Sequence, residues 1–151
     1  MNIYSPLRKN IDTRFAYKLI NHGPTTLITS AHAGKQNIMA AAWVCALDFK
    51  PPKVTVVIDS NTYTRQLIEA EGSFAISLPC VKQIEMVKKV GSISGADFPE
   101  SDKFTEYGIE IFAAQKISAP LVKDCVGWLE CKIIPETHNQ DTYDLFIAEV
   151  V

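Results

Sequence analysis

Ser60, Thr62 and Thr64 fall on alternate positions of one short stretch, and Arg65 follows directly. They stand where a run of β-forming residues gives way to a helical pattern. Their hydroxyls therefore meet the free N–H groups of a helix start. Those N–H groups and the helix dipole favour an anion, and Arg65 supplies a cation. Plain helix capping uses the same residues, because Ser and Thr oxygens accept bonds from the first free amides. A second cation, Lys103, lies at the end of a polar loop. It either reaches the same anion or stands as a solvated loop charge.

Upstream, Asn37 to Asp59 reads as two β-strands broken at Pro51–Pro52. The first carries three consecutive small residues, Ala40, Ala41 and Ala42, before the large Trp43. Small side chains let a flat group approach the backbone closely. The strand from Asn37 through Val44 to Cys45 offers N–H and C=O groups to the edge of such a group. Packing of the alanines under a helix, with Trp43 in the core, explains the same pattern. Cys45 reads either as a thiol touching a ligand or as a buried inert one.

The elements that must position these groups follow from periodicity and turn residues. A short helical turn is expected near Arg14–Ile20. Thr25 to His32 is rich in β-branched residues and reads as a strand, with a hairpin turn at Ala33–Gln36 and a return strand at Asn37–Leu47. Lys53 to Asp59 is a nearly continuous apolar run, as for a strand buried on both faces. A helix is predicted over Tyr63–Ala70, with Leu67 and Ile68 inward and Gly72 as its stop. Further strands are predicted at Ser73–Leu78, Ile109–Ala114, Cys125–Pro135 and Tyr143–Val151, and a second helix at Val81–Val90. Gly91–Lys103 reads as a polar loop, functional or disordered, and Glu136–Thr142 as a turn. Many strands with two short helices imply a β-barrel decorated by helices, one domain over residues 1–151.

Composition narrows the function. With 151 residues, 47% hydrophobic and 21% charged, the chain can bury a substantial core. A formal net charge of −2 argues against a dedicated nucleic-acid binder, which needs many cations to neutralise phosphates. A ligand with one phosphate needs only one or two. No apolar run reaches the length of about 18 residues that suggests a membrane span. The N-terminus has basic residues without a following apolar region, so a cytoplasmic location is expected. Cys45, Cys80, Cys125 and Cys131 form no zinc-type spacing and read as free thiols, and His22, His32 and His138 form no metal set. Trp128 reads as core or dimer contact.

Three stretches resemble the flavin reductase-like family: LITSAHAGKQNIMAAAWV, PPKVTVVIDSNTYTRQLIEAEGSFAISLP and ISAPLVKDCVGWLECKI. Together they span about two thirds of the chain in the family's order. The resemblance implies a mainly β fold, an FMN-binding split β-barrel of Greek-key type with a few short α-helices. It implies FMN as cofactor and NADH or NADPH as transient co-substrate, with Thr29, Ser30 and Asn37 also lining the cofactor. It implies a homodimer. Where the family usually has Ser-Gly-Arg, this chain has Ser94, Gly95 and Ala96, and Lys103 arrives after a longer gap. Tyr143 stands where a His is often found, and Ala148 where a Gly is. Family members usually continue beyond the position of Val151. Within the resemblance the flavin carries the chemistry and no side chain acts as acid or base. The activity implied is hydride transfer from nicotinamide to flavin and on to an acceptor. An electron-transfer flavoprotein reduced by a protein partner, and a cofactor-free interaction module, remain as alternative readings.

Overall fold

The computed structural model describes residues 12–21 and 23–151. The N-terminal stretch 1–11 and His22 lie outside the described residues. A 3-10 helix at Thr13–Leu19 falls where a helical turn was expected. Strands follow at β1 (Thr26–His32), β2 (Lys35–Ala41), β3 (Val44–Phe49) and β4 (Pro52–Val57), then α1 (Tyr63–Glu71) and β5 (Ser73–Leu78). The remainder comprises α2 (Ile84–Ser92), α3 (Lys103–Tyr107), β6 (Ile111–Phe112), β7 (Leu121–Val122), β8 (Gly127–Ile134), α4 (Thr137–Tyr143) and β9 (Leu145–Val150).

Seven strands form one sheet in the order β2-β1-β5-β8-β9-β4-β3, with every neighbouring pair antiparallel. The order places β2 and β3 at opposite edges, yet only Ala42 and Trp43 separate them in the chain. A sheet whose two edge strands are consecutive must roll until those edges meet, so it forms a barrel. The closing strand is split. Its first half pairs with β1 and its second half with β4, and the chain kinks between them. This corrects the continuous strand expected over Asn37–Leu47. At the kink the Trp43 carbonyl accepts from Val57 N at 3.1 Å.

Alternation along the strands divides the core. Ile28, Ala41, Val54, Val56, Phe74, Ile76, Cys131, Phe146 and Ala148 point into the barrel, where Ile68 of α1 joins them. Leu27 and Ile38 point outward and are covered by Val90 of α2 and Phe104 of α3, with Ile109 and Val122. Each large apolar side chain so buried contributes roughly 1.5–3 kcal/mol. Strand β4 shows simple alternation: Val54 and Val56 are buried and Thr55 and Val57 are only half-buried, so it is not sealed on both faces.

The ends of α1 are well defined. Thr62 is its N-cap, accepting from Arg65 N at 3.2 Å. Gly72 closes it in the left-handed region at φ 75°, a conformation a β-carbon would strain. The predicted turn at Glu136–Thr142 is helix α4, and its polar sequence, THNQDTY, gave no apolar stripe to betray it. No helix among the described residues is long and apolar enough to cross a membrane.

Candidate functional site

The free edge of β2 faces a groove between the start of α1 and the end of α2. One part of the groove, about 270 Å³, is lined by Asn37, Met39 and Ala40 of β2, Asn61 to Thr64, Val90 to Gly95, and Lys103. A second part, about 290 Å³, shares Met39, Ala40 and Thr62 and continues past Ala41, Ala42 and Trp43 to Asp59 and Asp144. Among the described residues β2 pairs only with β1, so its outer backbone edge has no strand partner there along this groove.

Lys103 ends the groove on one side. Gln36 Nε2 donates to Asp102 Oδ2 at 2.8 Å, and Asp102 Oδ1 caps α3 by accepting from Thr105 N at 2.9 Å. This fixes the first residue of α3 so that Lys103 points inward. Its ammonium donates to the carbonyls of Val90 at 2.8 Å and Ile38 at 3.1 Å, with no carboxylate in salt-bridge contact among the described residues. Burial pushes Lys103 down to about 8, and the more distant Asp97 opposes only part of that. A buried cation held by carbonyl dipoles alone would gain from an anion.

Two buried polar atoms lack a hydrogen-bond partner among the described residues: Asn37 Oδ1, on the same groove, and Ser30 Oγ, on the strand behind it. Asn37 Nδ2 donates to Thr64 Oγ1 at 2.8 Å, which leaves the Thr64 hydroxyl proton free. Gly95 lies against Asn37 so closely that a β-carbon would collide with Oδ1 and with the Tyr63 ring. Unpaired buried polar atoms cost about 1–3 kcal/mol each, and they mark where something polar belongs.

The sequence-predicted residues divide accordingly. Asn37, Ala40, Ala42, Trp43, Thr62, Thr64, Ser94, Gly95 and Lys103 come together on the groove. Ala41 touches it, but its side chain belongs to the barrel core. Ala40 does double service, because a β-carbon on Gly91 would stand 3.2 Å from Ala40 Cβ, so α2 also packs closely there. Trp43 is not core but 51% exposed, edge-on to Tyr17 at the groove mouth. Ser30 lies behind Asn37, its register partner.

Other expected residues are elsewhere. Thr29 faces the opposite side of β1 and donates to the Pro120 carbonyl at 2.5 Å. Val44 packs against the barrel core, and Cys45 is exposed on β3 rather than buried. Ser60 is exposed in the turn before α1, away from both parts of the groove. Arg65 is the clearest correction. Its guanidinium bonds Glu69 at 2.5 Å, Asp144 at 2.8 Å, the Gln140 carbonyl at 2.9 Å and the Ile58 carbonyl at 3.1 Å, and it lies 4.7 Å over the Phe146 ring. It ties α1 to α4 and β9, so its charge is committed within the fold. Tyr63 and Gly91 were not anticipated. Gly91 ends an apolar helical pattern, a signal that a close approach can be required there.

Residues 20–151 match the model of the flavin reductase like domain. The chain belongs to the flavin reductase-like family. An Escherichia coli relative, YddH, is 44% identical over 93% of this chain and 75% of its own length. The solved FMN-binding domain of a flavin reductases-like enzyme from Shewanella baltica is 49% identical, covers 93% of this chain and 73% of that one, and superposes with a TM-score of 0.81. Flavoredoxin of Desulfovibrio vulgaris is 26% identical over 98% of this chain and 73% of its own, with a TM-score of 0.77. The mainly β fold with short helices is thus the family's flavin reductase-like fold.

Proposed function

We propose that the groove binds FMN, with the phosphate toward Lys103 and the ring along the open edge of β2, and that the protein is an NAD(P)H-dependent flavin reductase-type oxidoreductase. The observation that carries the reading is the buried Lys103 cation, without a carboxylate partner, at one end of a groove along a small-residue edge strand. Family membership and the FMN-binding Shewanella relative support the same cofactor. The residues present fit it: Asn37, whose buried oxygen has no partner among the described residues, Thr64, which accepts from Asn37, and Gly95, which lacks the side chain that would collide with Asn37 and Tyr63, all line the same groove.

When bound, FMN supplies the redox chemistry, taking hydride from a reduced nicotinamide and passing electrons to an acceptor. The chain's own part is binding, orientation and access. Lys103 offers charge to the phosphate, and the Tyr63 and Thr64 amides with the Thr64 hydroxyl offer donors at the positive end of α1, whereas the Thr62 amide and hydroxyl both donate to the Asp59 carbonyl. Asn37 and the β2 backbone orient the polar edge of the ring. Ala40 and Ala42 keep its face clear, and Trp43 stands at the mouth.

The test is direct. Purified protein is mixed with FMN and NADH or NADPH, and nicotinamide absorbance is followed. Oxidation well above the rate without protein is expected. Bound FMN that dithionite reduces but nicotinamides do not would replace this reading with an electron carrier, in line with the flavoredoxin likeness. A colourless protein that takes up no FMN would refute both. We further propose a homodimer, because edge strand β3 presents Leu47 and Phe49 to solvent, Phe49 almost wholly. Light scattering that returns the monomer mass at micromolar concentration would reject it.

A further inference from the structure

Two of the four cysteines, Cys80 and Cys125, contact the same Gln83 side chain just before α2, at the end of that helix away from the groove. The ladder between β5 and β8 ends with Ser77 opposite Trp128 and Leu78 opposite Gly127. One residue further on, Val126 N donates to the Leu78 carbonyl at 2.8 Å. That bond lies one residue out of the ladder's register, so the pairing ends there, and the segments carrying Cys80 and Cys125 leave the sheet at the same end. A shared side chain ties them together. Gln83 Oε1 accepts from the Cys80 amide at 3.0 Å and from the Cys125 thiol at 3.6 Å, while Gln83 Nε2 donates to the Lys123 carbonyl at 3.0 Å. Cys125 is buried and Cys80 half-buried. Burial pushes the Cys125 thiol up, and the hydrogen bond to Gln83 opposes part of that. A disulfide needs Cα atoms about 4.4–6.8 Å apart, and contact of both residues with one Gln83 oxygen makes them near neighbours.

We propose that Cys80 and Cys125 form a redox-active thiol pair that closes to an intramolecular disulfide when hydrogen peroxide is the oxidant. Cys80 is the more accessible and reacts first. Its thiolate attacks one peroxide oxygen, the O–O bond breaks, and hydroxide leaves, giving Cys80 sulfenic acid. The Cys125 sulfur then attacks the Cys80 sulfur, the S–O bond breaks, and water leaves with the Cys125 proton. Two thiols lose two electrons and one peroxide becomes two waters. Neither remaining cysteine competes for this partner. Cys131 is sealed in the barrel, where burial pushes its thiol to about 12, and Cys45 is exposed on β3. The crosslink would pin the start of the helical segment leading into α2 to the start of β8. The far end of α2 supplies Val90 and Gly91 to the groove. Oxygen reacting with reduced flavin yields peroxide, so the flavin reading would supply the oxidant, but the pair's chemistry does not depend on it.

The full chain carrying Cys45→Ser is treated with a few equivalents of hydrogen peroxide, without flavin. It is quenched, alkylated under denaturing conditions, and analysed by intact mass and peptide mapping. The expected result is a monomeric chain lighter by two hydrogens, two fewer alkylated thiols, and a peptide pair joining Cys80 to Cys125 that dithiothreitol releases. Adding Cys80→Ser should leave Cys125 fully alkylated. Oxidation of Cys80 to sulfinic acid with Cys125 still alkylated, crosslinks only between chains, or no reaction at Cys80 would each overturn the proposal. Since no flavin is present, such a failure would leave the flavin reading standing.

Discussion

Replacing Lys103 with Met keeps most of the buried volume and removes the charge. Among the described residues the ammonium has only the Val90 and Ile38 carbonyls as acceptors, so one of its three donors is left for a ligand. A hydrogen bond to a charged group contributes about 1.5–3 kcal/mol, so the variant should bind FMN about ten- to 150-fold more weakly. Flavin fluorescence quenching measures this, and riboflavin, which has the ring but no phosphate, is the control. Riboflavin affinity should change little. The pH dependence gives an independent reading. Only protonated Lys103 attracts the phosphate, and burial holds it at about 8 in the free protein. FMN affinity of the unsubstituted chain should therefore be level just below pH 8 and fall about tenfold per unit above it, until the raised value of the complex is reached. Lys103→Met should abolish that fall. Equal weakening of FMN and riboflavin would refute the reasoning, because the lysine would then be holding the groove together rather than meeting a phosphate.

Three further outcomes follow from the same geometry. Arg65→Ala should cost about 2–3 kcal/mol in denaturant unfolding, since four bonds and a ring contact are lost, while FMN affinity of the folded protein stays near its original value; the reverse pattern would return Arg65 to the phosphate. Ala40→Leu should give a folded protein, by circular dichroism, that purifies with little or no flavin, because the larger side chain enters the groove beside Gly91; normal flavin content would place the ring elsewhere. Thr64→Val strands Asn37 Nδ2 without its acceptor, and a stability loss of about 1–3 kcal/mol together with weaker FMN binding is expected, both read by flavin-dependent shifts in melting temperature.

Local chemistry made much of this fold readable. Strand β5 coincides with the predicted Ser73–Leu78, and α1 runs from its threonine cap to its glycine stop almost as the residue types require. The kink at Ala42–Trp43 was hidden because nothing in the pair forbids a continuous strand. It arises from barrel closure, a property of the whole sheet. Helix α4 was hidden for a different reason. It has no buried residue, so its sequence carries no periodic stripe. The two faces of β2 were equally illegible: three successive alanines look alike in sequence, but alternation sends Ala41 into the barrel and leaves Ala40 and Ala42 to the groove.

The two cations show where reading a site from residue spacing fails. Arg65 stands beside the hydroxyls in sequence, at the position where a phosphate-binding cation would be sought. One turn of helix rotates it behind them, toward Asp144 and the Phe146 ring, because β9 brings a carboxylate and an aromatic face to that side. Lys103 lies far along the chain and out of the expected spacing. Packing of α3 on β2 nevertheless carries it to the groove, where Asp102, held by Gln36, aims it inward. Ala96, in place of a family arginine, leaves that end of the groove with no other buried cation among the described residues. On the proposed reading the charge for one phosphate is supplied once, by the residue whose burial the fold leaves least compensated. That is why Lys103→Met tests the site more sharply than any change to the hydroxyls.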